Sequence, residues 1–152
     1  YRGIKWHRHE YEPVYRYEDP ACEAFLAEIY RLQLPVVLEE SFQNTKYFIE
    51  RVAGRTAIII PHLGGLNGGF EALFEAGVWD GETVYADTAL ASTREMQIFL
   101  KRHGSRKLLF GSDFPFGIPS SELSRVRGLG LKDGDFENGV GGNVLRLIQQ
   151  KA

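Results

Sequence analysis

A single cysteine, Cys22, is all that this chain of 152 residues carries, so no internal disulfide can form and a reducing cytoplasm is the default location. Charge of one sign is missing too. Eighteen Lys and Arg against 20 Asp and Glu leave a net charge of -2, without the basic excess on which nucleic-acid binding depends. No apolar run approaches the roughly 20 residues that a membrane-spanning helix needs. No signal peptide is legible, and neither is a Gly-rich loop of the kind that cradles dinucleotides or phosphates. What remains is an ordinary globular composition, 43% apolar and 25% charged, with enough apolar material for a core. Cys22, just ahead of an amphipathic helix, reads as buried packing.

Short apolar runs that end abruptly on polar residues recur along the chain. Gly3 to Trp6 reads as a strand, and a loop rich in Tyr, Glu and Pro follows it. A helix is expected from Pro20 to Leu34, with Ala21, Phe25, Ile29 and Leu32 at helical spacing, Asp19 as N-cap and Pro20 in the first turn. Pro35 stops it, and Val36 to Leu38 forms a short buried strand ending on Glu39. Phe42 to Ala53 is a second helix, facing inward through Phe48, Ile49 and Val52 and stopped by Gly54. A third strand, Ala57 to Ile60, closes on Pro61, His62 and Gly64-Gly65, and a shorter helix with Phe70, Leu73 and Phe74 inward ends near Gly77. Thr83 to Ala86 is the fourth strand and leads to Asp87 and Thr88. A helix capped by Ser92 or Thr93 then runs to His103, with Met96, Phe99 and Leu100 apolar, before the fifth strand, Lys107 to Phe110. Ser120 to Arg127 and Asn143 to Gln150 read as closing helices, joined by the turn-rich stretch from Leu131 to Gly142.

Strands that are apolar throughout and alternate with helices argue for a parallel α/β sheet covered by helices. The polar residues at the strand ends, His7, Glu39, His62, Asp87 and Asp113, lie 32, 23, 25 and 26 positions apart, the near-regular spacing of repeated strand-helix units. A whole eight-unit barrel takes about 250 residues and at least roughly 200. The expected fold class is therefore α/β: the C-terminal part, about five strand-helix units, of a (β/α)8 TIM barrel, with residues 1–152 as one partial barrel domain lacking its N-terminal strands. The chain opens at Tyr1 directly on a strand, as one joined in mid-fold would. An open doubly wound sheet is the competing architecture.

In a parallel barrel every strand end opens on one face, so distant residues converge there. Imidazole and carboxylate groups together suit a borderline divalent ion such as zinc, bound through N and O at about 2.0 to 2.2 Å. Asp113, between Ser112 and Phe114 after an apolar strand, is the strongest candidate, as metal ligand or as the base that takes a proton from the attacking water. A turn cap is its structural alternative. His62 is expected to polarise a carbonyl, move a proton or bind metal, against a buried structural histidine. Glu39 is a candidate metal ligand, although Glu40 and Ser41 beside it would also suit a strand reaching solvent and a helix cap. His7 and His9 form an H-x-H pair whose side chains would point the same way on a strand, and His7 is taken as a ligand. Asp87 could serve catalysis or a structural hydrogen bond, and His103 fits a favourable contact with its helix dipole. The glycine pairs Gly64-Gly65 and Gly68-Gly69 allow close backbone approach to a ligand or a tight fold. Trp6, Tyr11, Tyr15, Tyr17, Phe114 and Phe116 form either an aromatic wall or packing.

The segments GIKWH, LPVVLEES, IIIPHLGG, VYADTA, KLLFGSDFPF and GGNVLRLI, in this order, resemble the latter part of the amidohydrolase-2 group, in particular proteins similar to aminocarboxymuconate-semialdehyde decarboxylase. HLGG and GSDFPF are specific as a pair. The resemblance implies a distorted eight-stranded barrel and a single divalent metal, usually zinc. It also implies hydrolysis or nonoxidative decarboxylation of a small organic acid. It matches His62 to the sixth-strand histidine of proton transfer or carbonyl polarisation, and Asp113 to the eighth-strand aspartate that binds the metal. Two departures stand out. Glu39 occupies the fifth-strand position that is usually a histidine ligand, which adds negative charge and favours a harder ion such as manganese, or marks a degenerate site. The first-strand H-x-H is absent, since His7-Arg8-His9 sits in a fourth-strand context.

The expected function is metal-dependent hydrolysis of a small organic substrate by activated water, with decarboxylation on the same scaffold as the enzyme alternative. A non-catalytic barrel acting as a binding or assembly module is the alternative of another class. The expected partner is a small-molecule substrate, with no nucleic acid and no membrane, and a homodimer is the base-rate assembly.

Overall fold

Parallel pairing runs through all five strands in sequence order, β1 (Ile4–His7), β2 (Val36–Glu39), β3 (Ile58–Ile60), β4 (Val84–Asp87) and β5 (Leu108–Leu109). The computed structural model describes residues 1–8, 14–52 and 54–149. Between and after the strands lie α1 (Pro20–Leu32), α2 (Phe42–Val52), α3 (Phe70–Glu75), α4 (Thr93–His103), α5 (Pro119–Arg127), α6 (Asp133–Glu137) and α7 (Asn143–Gln149). None of the helices among the described residues is long and apolar enough to cross a membrane.

The strand order distinguishes the two expected architectures. A doubly wound sheet reverses direction at a switch point and places helices on both faces. Here the order never reverses. Leu26 and Ile29 of α1, Phe48 and Val52 of α2, Leu73 of α3 and Met96 and Phe99 of α4 all join one core with Val36, Leu38, Ile58, Ile60, Val84, Ala86 and Leu108. Strand residues alternate between faces, so Val37, Ile59, Tyr85 and Leu109 form a second, smaller cluster on the other face, joined by Leu147 of α7. Helices on the outside of a singly wound parallel sheet, with a distinct inner face, are the arrangement of part of a (β/α)8 barrel.

Local chemistry accounts for the element boundaries. Ser92 caps α4 in a reciprocal box with Glu95, as its position predicts. Asp19 stands at the N-cap of α1 but does not cap it with its side chain, because its Oδ2 accepts from the N–H of Arg16 at 2.8 Å instead. That helix ends at Leu32 rather than Leu34, where Gln33 turns left-handed. Ala21 is exposed and Phe25 is 45% exposed, while Leu26 takes the buried position. Cys22 lies within the first turn of α1, half-buried rather than enclosed.

The stretch from Leu131 to Gly142 departs from expectation. Despite four glycines it forms α6 followed by a π-helical turn, Asn138–Gly142. Tertiary contacts outweigh the helix penalty of glycine here. Phe136 and Val140 pack on the main core, and Gly139 O accepts the N–H of Phe110 at 2.8 Å, tying the segment to the end of β5.

Candidate active site

The register of β1 on β2 sets His7 opposite Glu39, both on the inner face. His7 Nε2 lies 3.3 Å from Glu39 Oε1, and the ammonium of Lys5 makes an ion pair with Oε2. From the end of β3, His62 Nε2 approaches the same carboxylate at 3.8 Å, an ion-pair distance rather than a hydrogen bond. Three cationic or protonatable groups thus surround one half-buried carboxylate.

His62 is held from behind. Its residue and the next have φ of 57° and 46°, left-handed values that side chains seldom adopt. The N–H of His62 donates to Asp87 Oδ1 at 2.9 Å, and the N–H of Ala89 donates to the same oxygen at 2.9 Å. His62 Nδ1 lies 3.2 Å from Ala89 O. Burial pushes the Asp87 carboxyl above its usual range, against the two backbone donors and the nearby Lys5 ammonium. Of the two sequence alternatives for Asp87, the structure places it in the hydrogen-bonding role.

Asp113 sits after β5 with φ 51°, at the start of a turn in which its carbonyl accepts from Phe116 N and Gly117 N at 2.8 and 3.2 Å. The Phe114–Pro115 peptide is cis. Gly117 is required by this turn, since a Cβ there would stand 2.1 Å from Ser112 O. Among the described residues nothing donates to the Asp113 carboxylate, so the turn-cap alternative finds no partner. Lys5, His7, Glu39, His62 and Asp113 line one open cleft of about 460 Å3, walled by Leu66, Leu90 and Phe116. The four predicted site residues therefore share a cleft, together with a lysine that the sequence reading did not single out. His9 lies outside the described residues.

The donors fit a divalent ion in their chemistry, with two imidazoles and two carboxylates, of which that of Asp113 has no partner among the described residues. They are not gathered into a cage. Among the described residues no three His, Cys, Asp or Glu side chains stand close enough together to hold a metal ion.

Other sequence expectations resolve as packing. Glu40 is 2% exposed, so the alternative of a strand reaching solvent at this point does not hold, whereas Glu39 lines the cleft. Glu40 accepts from Arg8 Nε at 2.9 Å, from Asn44 Nδ2 at 3.1 Å and from the Tyr17 hydroxyl. Burial first, and then Glu40, push the Tyr17 phenol far above its ordinary pKa. Trp6, Tyr15 and Tyr17 pack on one another, and Phe25 and Phe48 pack on Trp6, on the outer side of β1. Of the described members of the aromatic set, Phe116 alone lines the cleft, and Phe114 is exposed; Tyr11 lies outside the described residues. His103 is enclosed by Phe74, Trp79 and Phe99, and burial lowers its pKa against the nearby Asp80 carboxylate. Gly64 and Gly68 serve packing: a Cβ at Gly64 would strike Leu73, and one at Gly68 would strike Phe42.

Comparison with known proteins bears on the fold. No protein-family model matches the chain, and no curated protein sequence matches it. Among solved structures, it resembles 2,6-dihydroxybenzoate decarboxylase from Rhizobium, with a TM-score of 0.69 and 15% identity over 91% of this chain and 58% of that one. It also resembles a probable 2-pyrone-4,6-dicarboxylic acid hydrolase from Acinetobacter baumannii with citric acid bound, with a TM-score of 0.74 and 12% identity over 97% and 64%. Amidohydrolase 2 from Bifidobacterium longum subsp. infantis matches with a TM-score of 0.69 and 19% identity over 97% and 61%. The chain thus spans less than two thirds of the length of each. At these identities the likeness establishes the architecture: the chain is folded as part of the barrel shared by these decarboxylase, hydrolase and amidohydrolase structures.

Proposed function

We propose that the chain belongs to a metal-dependent hydrolase of the amidohydrolase superfamily, acting on a small organic substrate. The observation that carries this reading is the convergence of Glu39, His62 and Asp113, from the ends of three different strands, on one cleft of a barrel-type sheet. Glu39, Asp113 and His7 are the residues of this chain that would hold a divalent ion, zinc or manganese by their chemistry, while His62, whose Nδ1 is turned to Ala89 O, has only Nε2 for the cleft and keeps it for proton transfer. Such an ion supplies Lewis-acid polarisation and lowers the pKa of water.

The remaining chemistry falls to the chain. Asp113, unengaged by other described side chains, accepts the proton of the attacking water and returns it to the leaving group. His62 offers Nε2 toward the cleft and, once protonated there, stabilises the developing oxyanion. Leu66, Leu90 and Phe116 give the substrate an apolar wall.

Decarboxylation of a small carboxylic acid is the second reading. It is favoured by Lys5, His7 and His62 lining one cleft, a concentration of cationic and protonatable groups suited to an organic anion. Incubating the native full-length protein with a panel of lactones, amides and aromatic carboxylic acids tests both. Hydrolysis products abolished by Asp113→Asn support the first reading, and carbon dioxide release abolished by the same change supports the second. Neither activity on the panel, with no metal bound, would favour the non-catalytic module.

A further inference from the structure

We infer that Asp87 is a positioning residue that fixes the tautomer of His62, leaving Nε2 as the only nitrogen of that ring able to exchange a proton with the cleft. The inference rests on the functional reading of His62, but its geometry stands independently. Ala89 O can only accept, so the 3.2 Å contact with His62 Nδ1 requires the hydrogen on Nδ1. The neutral ring then carries its lone pair on Nε2, toward Glu39 Oε2 at 3.8 Å. Which nitrogen of a histidine carries the proton is set by the bond that the other makes.

Asp87 holds both ends of that arrangement. One oxygen, Oδ1, accepts from His62 N and from Ala89 N at 2.9 Å each. The first bond ties down the left-handed backbone at His62. The second fixes the peptide on the N-terminal side of Ala89 and so the residue whose carbonyl meets Nδ1. Without Asp87 the histidine and its acceptor belong to two separate loops.

The surroundings are built to admit that carboxylate. A Cβ at Gly111 would stand 3.1 Å from Asp87 Cγ and 3.2 Å from Ala89 Cβ, so the glycine after β5 leaves the room that the carboxylate occupies. From the far side, α5 braces the same loop: Glu122, 3% exposed, accepts from Leu90 N at 3.3 Å, and Arg125 Nη1 donates to Ala91 O at 2.7 Å. Thr88 joins the loop to Gly111 through its hydroxyl, which accepts from Gly111 N at 3.2 Å.

The test is nitrogen NMR of the imidazoles in the native full-length protein, with the His62 resonances identified by their loss in His62→Gln. A chelator is present throughout, and the pH lies about two units above the ordinary imidazole pKa. The wild-type protein is expected to show His62 with hydrogen on Nδ1 and none on Nε2. Asp87→Ala is expected to lose that pattern, with hydrogen appearing on Nε2 in most molecules, and Asp87→Asn, which retains an accepting Oδ1, is expected to restore it. Hydrogen on Nε2 in the wild type, or an unchanged pattern in a folded Asp87→Ala protein, would overturn the inference. Should Asp87→Ala not fold, Asp87→Asn carries the test: loss of the charge is expected to shift the amide protons of His62 and Ala89 upfield, and unshifted amides would overturn it. Because metal is removed, these outcomes are separate from whether the protein is a metal-dependent hydrolase.

Discussion

His7 and Glu39 face each other in direct register across β1 and β2, with Nε2 3.3 Å from Oε1, while the adjacent Glu40 points the opposite way into the protein. The alternation of a strand separates two chemically identical side chains into two tasks. Glu39 goes to the cleft. Glu40 anchors the segment that follows β1 through Arg8 and Tyr17.

That division predicts opposite behaviour for the two glutamates. Glu40→Ala leaves the part-buried Arg8 guanidinium without its carboxylate and is expected to destabilise the protein by roughly 3 kcal/mol. Glu39→Gln removes a pair whose lysine partner is half-exposed and is expected to cost about 1 kcal/mol or less. Urea unfolding of both variants checks this, and equal losses would contradict it.

Lys5 and a divalent ion compete for Glu39. Lys5→Met removes the ammonium from Oε2 and a positive charge from beside the cation, so binding of zinc or manganese should tighten. The lysine is half-exposed, so the gain is expected to be about 1 kcal/mol, roughly five-fold in Kd. Isothermal titration of the metal-free protein measures it; weaker binding in Lys5→Met would show that the lysine supports the site.

His103 should make stability depend on pH. Burial lowers its pKa in the folded state, so the unfolded chain binds the proton more readily. Its contribution to stability is complete above the unfolded value of about 6.5 and is lost as pH falls through the lower folded value. Thermal midpoints of wild type and His103→Gln, measured from neutral pH downward, should converge on acidification. A gap that stays constant or widens would contradict the assignment.

Gly68→Ala should destabilise by roughly 2 kcal/mol or more, since φ is 101° and a Cβ would stand 2.6 Å from that of Phe42. Gly69→Ala, with the same φ but open space, should cost less. The difference between the two unfolding midpoints isolates packing from backbone strain.

Much of this fold was legible because buried parallel strands are apolar on both faces. Val36-Val37-Leu38 and Ile58-Ile59-Ile60 announce themselves, and the polar residue after each marks the barrel mouth. The same feature hid Lys5. It stands two positions before His7 and shares its face, but a lysine inside a strand offers no signal without knowledge of which face is inner. The buried role of Glu40 was not legible either, because it depends on where Arg8 and Tyr17 arrive from another part of the chain. The helical course of residues 133 to 142 was concealed by glycines whose cost is offset by the packing of Phe136 and Val140. Trp6, Tyr15 and Tyr17 near a strand end suit a substrate wall as well as a core, and three-dimensional packing decides for the core.

Metal content of the native full-length protein, by elemental analysis alongside Asp113→Asn, tests the central claim most directly. The account predicts about one zinc or manganese per chain in the parent and its loss in the variant, because Asp113 brings to the cleft a carboxylate that no other described side chain engages. A parent protein without metal, or a variant that retains it in full, would contradict the account.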